Sequence, residues 1–431
     1  MHINNVLIEN FSCRLKNIIT YLREFHANSG TWVFAATALN KTVMFLIKVF
    51  VLVYVEKEIY GQLTYANTII MFIIPFVGFG SPIGLLRFGS ITSNKNEQKR
   101  IENYTFSMGI INTILLILMV LPFFNLLSKG DNTVFFFLCI LLIRVISLFL
   151  YSHQTSKLRV EFNNKEFGQY DMINSLLLFA LGFLMTYYFH STGYLLALGL
   201  APLFAYIGYG MIKGFPSWQF NFNFDFKKKD FWSYSLFSSF STIVSQMVFL
   251  VDIFLIGNIL NNEAVAEYNA AGLIPLNILM LPVIFMQTDF AKIAHNYKNK
   301  RYLKSYYKKY LSLFVPLSVI ILFLGFFFGE QMFSLLGKDY HPYNLFMYLL
   351  FAVSISILFR VPLGNMISAF GKARFNTISA IITLVVAIVL NLIFIDKYGL
   401  TGAAWATCIS LILSSILNLA YFIWYIKYEC E

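Results

Sequence analysis

The chain has 431 residues, of which 58% are hydrophobic, 18% are aromatic and only 12% are charged. A soluble domain carries roughly 25% charged residues, so this composition excludes a water-soluble protein, a disordered chain and a fold built around one aqueous core. It indicates a polytopic membrane protein. The net charge is nevertheless +11, and the next question is where the few charged residues lie.

Apolar stretches long enough to cross a bilayer recur along the whole chain. A helix needs roughly 20 mostly apolar residues to span the hydrocarbon layer. This criterion predicts an all-α protein with twelve transmembrane helices, at 31–53, 62–89, 104–127, 133–153, 171–189, 194–212, 232–258, 268–288, 309–328, 345–367, 377–395 and 401–426. Most Lys and Arg residues then lie on one side of the membrane, and the positive-inside rule places both termini in the cytoplasm.

The two halves of the chain look like copies of each other. Tyr65-Ala66 in the second predicted span aligns with Ala270-Ala271 in the eighth. Gly193-Tyr194 aligns with Gly399-Leu400 at nearly the same separation. A six-plus-six duplication follows, and because six is even, both copies keep the same orientation. We therefore expect a pseudo-two-fold axis along the membrane normal.

The duplication defines the expected domain organisation. A six-helix bundle over 31–212 is joined by a cytoplasmic linker at 213–231 to a second bundle at 232–426. Residues 1–30 place their apolar side chains on one helical face, which is typical of an interfacial amphipathic helix. Residues 427–431 are predicted to form a cytoplasmic tail.

Several classes of enzyme are disfavoured. All predicted loops are short, and the sequence has neither a P-loop motif nor an HExxH motif. An ATPase, a metalloprotease and a glycosyltransferase are therefore not expected, and no metal or cofactor is predicted. The basic run at 298–309 is interpreted as a topology determinant that touches anionic headgroups, not as a nucleic-acid site.

Motifs along nearly the whole chain resemble those of a known family. Residues 371–410 contain a Gly371-Lys372 turn, then a span, then a Tyr-Gly-x-x-Gly-Ala-Ala-x-Ala-Thr motif that opens the last span. Its residues are Tyr398, Gly399, Gly402, Ala403, Ala404, Ala406 and Thr407. Residues 58–70 and 251–272 are similar to two further family landmarks. The pattern resembles the Wzx-like O-antigen flippases of the multidrug/oligosaccharidyl-lipid/polysaccharide (MOP) exporter superfamily.

This resemblance implies two pseudo-symmetric six-helix bundles in a MATE-like V shape with alternating access. It implies that an undecaprenyl-diphosphate-linked oligosaccharide moves from the cytoplasmic to the periplasmic leaflet of the bacterial inner membrane. It makes the protein a transporter and not an enzyme, driven by H⁺ or Na⁺. A monomer is expected, in the lipid bilayer beside a polysaccharide polymerase and a chain-length regulator.

Basic residues inside the predicted spans are the candidate substrate-binding residues. Each costs roughly 2.5–3.5 kcal/mol at a helix centre, so such residues usually line a cavity or pathway. Lys41 and Lys48 share a face of the first span, while Arg144 and Arg360 lie in spans that correspond in the duplication. Cationic side chains can bind a diphosphate. Arg87 is the fifth candidate, although its position also suits simple anchoring at the cytoplasmic end.

Asp252 is the one acidic residue deep within a predicted span. It lies at about the depth of Lys48, which predicts a Lys48–Asp252 contact between the halves. We expect this pair to help close the outer gate, with Asp252 binding the coupling cation or proton. A fixed buried ion pair is the structural alternative.

Other functions stay open at this point. A cation-coupled multidrug exporter of the same superfamily would favour carboxylates in its cavity, whereas this chain has four deep basic residues and one deep aspartate. A lipid II flippase usually has two more spans. A polysaccharide polymerase, which is an enzyme, would be expected to have a large periplasmic loop. The sequence does not exclude a passive channel.

Overall fold

The computed structural model describes residues 30–92, 94–217, 228–334 and 342–430. The amphipathic helix predicted over 1–30 and the middle of the predicted linker fall almost wholly outside these ranges. Within them, all regular structure is helical and no strand occurs. The prediction of an all-α membrane protein is confirmed.

The described residues form helices separated by short connections. In chain order these helices are α1 (Gly30–Tyr54), α2 (Lys57–Ile73), α3 (Ser81–Ile91), α4 (Lys95–Val120), α5 (Phe124–Ser128), α6 (Asn132–Val160), α7 (Asn164–Lys213), α8 (Lys228–Ile259), α9 (Asn262–Ile278), α10 (Met280–His295), α11 (Lys300–Ser334), α12 (Tyr343–Ile355), α13 (Val361–Ala369) and α14 (Ala373–Tyr428). Two 3₁₀ segments lie at Ile74–Gly80 and Leu121–Phe123, and a π-helical segment at Ser356–Arg360.

Ten helical segments of the described chain are long and apolar enough to cross a membrane. Two of them, α7 and α14, have 50 and 56 residues, about twice what one crossing needs. Each contains one residue with non-helical backbone, His190 (φ 53°, ψ −133°) and Gly399 (φ 58°, ψ −138°). These two breaks lie where the sequence predicts a connection between two spans.

The chain reverses direction at both breaks. A Cβ atom on Gly193 would collide with the carbonyl of Met185, and one on Gly402 would collide with the carbonyl of Phe394. A straight helix rises 1.5 Å per residue, so such pairs meet only if the two arms fold back on each other. Each of α7 and α14 is therefore a helical hairpin. The exact total of twelve spans stays a prediction.

These hairpins also correct the proposed alignment of the two halves. Gly193 and Gly402 take the same place in their hairpins, so Gly193 corresponds to Gly402 and not to Gly399. The other landmark agrees with the alignment, because α2 and α9 both have 17 residues. Tyr65 and Ala270 lie at the same position within them.

The second predicted span is interrupted between α2 and α3. Gly78 (φ 61°), Phe79 (φ 52°) and Gly80 (φ 74°) adopt left-handed backbone in the segment that follows Pro75. The Gly78 backbone N–H donates to Oγ1 of Thr113 at 3.1 Å, so a side chain replaces the helical acceptor that the break removes. A backbone group left without a partner inside a membrane would cost several kcal/mol.

The chain forms two compact units, and neither is one half of the sequence. The first unit consists of residues up to 47, 76–121 and 140–236, and the second of 48–75, 122–139 and 237–431. In the second unit, a core of buried side chains gathers around Met286, Tyr310, Leu363 and Tyr425. The bundle boundaries expected at 31–212 and 232–426 stay predictions.

Candidate functional site

The most deeply buried candidate is Asp252 on α8, in the second unit, with 3% of its surface exposed. Its Oδ1 accepts a hydrogen bond from Nδ2 of Asn391 at 2.7 Å. Its Oδ2 accepts from the hydroxyls of Thr407 at 2.6 Å and Tyr268 at 3.1 Å. Hydrogen bonds to an ionised group are the strong ones, so these three donors offset part of the cost of burying the carboxylate.

Local folding explains how these groups meet. Asn391 and Thr407 lie on opposite arms of the α14 hairpin, so the reversal at Gly399 brings both to Asp252. Tyr268 comes from α9, and its hydroxyl lies 2.6 Å from that of Thr407. The Asp252 carboxylate thus ties together α8, α9 and both arms of α14.

The same cluster offers oxygen ligands. Oδ1 of Asn391 is buried and has no hydrogen-bond partner among the described residues. Together with the Asp252 carboxylate and the hydroxyls of Tyr268 and Thr407, it makes a set of carboxylate, amide and hydroxyl oxygens. Hard cations prefer such oxygen ligands, and the carboxylate alone can take up a proton.

A cavity of about 60 Å³ lies beside this cluster. Lys48, Asp252, Tyr268 and Thr407 are among the residues that line it. The structure thus brings Lys48 and Asp252 to one cavity. Asn391, Thr407 and Tyr268, which donate to the Asp252 carboxylate, are neutral. A direct Lys48–Asp252 contact stays a prediction.

Arg360 lies at the end of the π-helical segment in the second unit. Its Nε donates to Oγ of Ser414 at 3.2 Å, and its guanidinium carbon lies 4.7 Å from the centre of the Phe249 ring. Asn418 donates to the backbone carbonyl of Arg360 at 3.1 Å. π-Helical segments often occur at functional sites. Phe249 also lines the Asp252 cavity, so this one ring contacts both Arg360 and the cavity.

The other three candidates belong to the first unit. Arg144 on α6 is buried and interacts electrostatically with Tyr194. Lys41 on α1 is exposed and interacts with the carboxylate of Asp171. Arg87 on α3 is exposed, and its guanidinium carbon lies 4.2 Å from the ring centre of Tyr234, a cation–π contact.

Sequence reasoning missed most partners of Asp252. The sequence contains one sign of this cluster, because Asn391 is an amide within an otherwise apolar predicted span. Thr407 entered only as part of a family motif, and Tyr268 was not singled out. Sequence reasoning also missed Asp171, because it is the first residue of a predicted span. Its carboxylate interacts with Lys41 and accepts a 2.5 Å hydrogen bond from the Tyr151 hydroxyl.

A second group of contacts in the second unit joins the two halves of the sequence. Nζ of Lys57 on α2 lies 3.1 Å from Oε2 of Glu267 on α9. The Tyr60 hydroxyl donates to Oδ1 of Asn269 at 2.8 Å. A Cβ atom on Gly61 would collide with the backbone carbonyl of Asn262. Helices α2 and α9 therefore pack backbone against backbone.

The loop before α6 extends this contact. Nζ of Lys129 donates to the carbonyl of Gly257, near the end of α8, at 2.5 Å. Oδ2 of Asp131 accepts from Gln62 at 2.8 Å and from Asn262 at 3.4 Å. We call the contacts from Lys57, Tyr60, Gly61, Lys129 and Asp131 the cross-half contacts. They lie at the helix ends that the sequence places on the periplasmic side.

The fold is that of known transporters of the MOP superfamily. The lipid II flippase MurJ in an inward closed conformation superposes with a TM-score of 0.73 and 18% identity, over 90% of this chain and 87% of that one. A MATE multidrug resistance transporter of the MOP superfamily in an inward-facing conformation superposes with a TM-score of 0.71 and 15% identity. That match covers 90% of this chain and 94% of the other.

The sequence then defines the family. The model of the polysaccharide biosynthesis protein family matches residues 27–289, and the chain belongs to that family. A Shigella flexneri protein provisionally named an O-antigen transporter is 26% identical over 180 residues, which is 41% of this chain. The match spans 43% of that relative's length. The resemblance to Wzx-like flippases of the MOP superfamily is confirmed.

Proposed function

We propose that the chain is a flippase for an undecaprenyl-diphosphate-linked oligosaccharide, which it moves from the cytoplasmic to the periplasmic leaflet by alternating access. The observation that carries this proposal is the family match over residues 27–289 on a fold shared with a lipid-linked substrate flippase. The basic residues within the spans supply the charge that an anionic substrate needs.

Arg360 is the first residue we assign to the diphosphate. Its guanidinium is held by a hydroxyl and an aromatic ring, and no carboxylate pairs with it among the described residues. A planar guanidinium binds phosphate bidentately. Lys48, Lys41, Arg144 and Arg87 complete the proposed set. They would lower the cost of moving a charged headgroup away from water.

Asp252 is proposed as the ion-coupling residue. When a proton or Na⁺ binds the carboxylate and the nearby oxygens of Asn391, Thr407 and Tyr268, it removes a buried negative charge. The hydrogen bonds that hold α8, α9 and α14 together then change strength, which links ion binding to helix packing. The cross-half contacts, with Lys48 near Asp252, would form the outer gate that opens to release the substrate.

Reconstitution tests this proposal directly. Purified protein in liposomes would be given a fluorescent undecaprenyl-diphosphate-linked oligosaccharide, and a membrane-impermeant quencher would report its movement between leaflets. We expect flipping at a rate well above that of empty liposomes, with faster flipping under a H⁺ or Na⁺ gradient. Flipping equal to that of empty liposomes would refute the proposal.

The alternatives give different results in the same vesicles. A multidrug exporter would transport an organic cation such as ethidium and leave the oligosaccharide lipid in place. A polymerase would lengthen the oligosaccharide, which mass spectrometry of the extracted lipid would detect. Adding the polymerase and the chain-length regulator to the same vesicles would show whether these partners affect flipping.

A further inference from the structure

Another polar cavity lies in the first unit, where three of its apolar helices begin or end. It has a volume of about 690 Å³ and is framed by the end of α3, the start of α4 and the end of α6. By the predicted topology, this is the cytoplasmic side of the membrane. None of the substrate-binding or gate residues assigned above lines this cavity.

Basic side chains dominate its mouth. Lys95 and Lys99 lie one turn apart on α4 and are exposed, and both line the cavity with Lys157 from α6. Lys157 is paired with Glu102 at 2.7 Å. Within the part of the chain that the structure describes, Lys95 and Lys99 have no hydrogen-bond or ion-pair partner. Glu161 also lines the cavity, so its three lysines and two glutamates leave a net charge of +1.

Hydrogen bonds hold together the three helices that form the walls of the cavity. Nε2 of Gln98 lies 3.3 Å from the carbonyl of Val160 and 3.4 Å from that of Gly89, so it links α4 to the ends of α6 and α3. Below it, the buried side chains of Leu85, Ile101 and Val160 form an apolar cluster. A preformed polar pocket above an apolar floor is suited to a headgroup that enters from the edge of a membrane.

An exposed aromatic residue marks the membrane edge. Phe162 also lines the cavity, has 78% of its surface exposed and adopts left-handed backbone with φ 55°. In interfacial segments, Phe side chains are buried at the boundary between the headgroups and the acyl chains. Basic pockets between transmembrane helices on the cytoplasmic side bind anionic headgroups. A free phosphate ion would make no use of Phe162.

We propose that this cavity is a binding site for the phosphate headgroup of an anionic bilayer phospholipid, held by Lys95 and Lys99. The lipid would tie the ends of α3, α4 and α6 to the inner leaflet. This inference does not depend on the proposed transport of an oligosaccharide lipid, since it concerns a different ligand at a different site.

Native mass spectrometry of the full chain in detergent tests the site. The probes are phosphatidylglycerol, phosphatidylcholine with the same acyl chains, undecaprenyl phosphate and inorganic phosphate. The test variant is K95Q/K99Q. The control is K397Q/K427Q, which removes two exposed lysines from α14.

We expect phosphatidylglycerol to bind best to the wild-type chain. K95Q/K99Q should lose about 30-fold in affinity, which is the loss for two lysines that each contribute about 1 kcal/mol. K95R/K99R should retain binding, and K397Q/K427Q should retain it as well. The melting temperature of each variant shows that it is folded.

Four results would overturn the proposal. If phosphatidylcholine bound as tightly as phosphatidylglycerol, the negative charge of the headgroup would play no part. If inorganic phosphate bound as tightly, the site would be a phosphate site and not a lipid site. Preference for undecaprenyl phosphate would make the cavity a substrate site. An equal loss of affinity in K95Q/K99Q and K397Q/K427Q would show that the effect comes from general surface charge. None of these results depends on whether the protein flips its substrate.

Discussion

The hydroxyl of Thr407 donates a 2.6 Å hydrogen bond to the carboxylate of Asp252, although 155 residues separate the two along the chain. Thr407 lies in the second arm of the α14 hairpin and Asp252 in α8. A change in the charge of Asp252 therefore acts directly on the packing of two helices. Ion binding and helix movement can be coupled at this bond.

The first prediction concerns the charge of Asp252. D252N keeps the size of the side chain but removes the negative charge, so we expect flipping to lose its dependence on a H⁺ or Na⁺ gradient. The measurement is the initial flipping rate in liposomes with and without each gradient. D396N, at an exposed position of α14, is the control and should behave like wild type. Gradient-dependent flipping by D252N at the wild-type rate would refute the coupling role.

The second prediction isolates the Thr407 hydrogen bond. T407V removes a hydrogen bond to a charged group, which contributes about 1.5–3 kcal/mol, while T407S keeps the hydroxyl. We expect T407V to lower the melting temperature in detergent and T407S to restore most of the loss. T407V should lower the melting temperature less in the D252N variant than in the wild type, because the two residues share one interaction. Full additivity of the two substitutions would contradict this coupling.

The third prediction concerns the guanidinium of Arg360. R360A removes the proposed phosphate ligand, and loss of a hydrogen bond to a charged group lowers affinity by about 10- to 150-fold. R360K keeps the charge without the bidentate geometry, so its loss should be intermediate. The concentration dependence of flipping measures this effect. R374A, at an exposed position of α14, is the matched control, and an equal loss there would argue against a specific site.

The sequence predicts the class of fold because a bilayer permits few solutions. Long apolar runs must form helices that satisfy their own backbone hydrogen bonds, and charge asymmetry then predicts the topology. The reversals at His190 and Gly399 occur where polar or small residues interrupt such runs. Asp252 was identified from the cost of its charge alone. Its contacts with Tyr268, Asn391 and Thr407 depend on how three helices pack, and no local pattern encodes that packing.

The fourth prediction tests the close contact of α2 with α9. Alanine at Gly61 would place a Cβ atom against the backbone of Asn262, which cannot move as a side chain can. Alanine at Gly208 in α7 would meet no atom within 4 Å. Both substitutions gain about 1 kcal/mol in helix propensity. We therefore expect G208A to raise the melting temperature and G61A to lower it. Equal stability of the two variants would show that the α2–α9 contact is loose.

The fifth prediction concerns pH at the phospholipid cavity. Burial raises the pKa of the Glu161 carboxyl, as do Glu102 from α4 and Glu166 from α7, while Lys157 opposes the shift. Because the raised pKa belongs to the folded protein, the folded state takes up this proton before the unfolded state does. Lowering the pH through that pKa therefore stabilises the fold and removes a negative charge that would repel a phosphate.

Binding of phosphatidylglycerol should consequently strengthen as the pH falls towards the ordinary pKa of a glutamic acid. The charged residues that face this carboxyl, Lys157, Glu102 and Glu166, stay unchanged in the test variant. E161Q mimics the protonated form, so it should bind the lipid tightly at every pH and flatten the profile. The same titration of E263Q, a carboxylate in the second unit, should reproduce the wild-type profile. A profile for E161Q with the wild-type slope would assign the pH dependence to another group, such as the lipid itself.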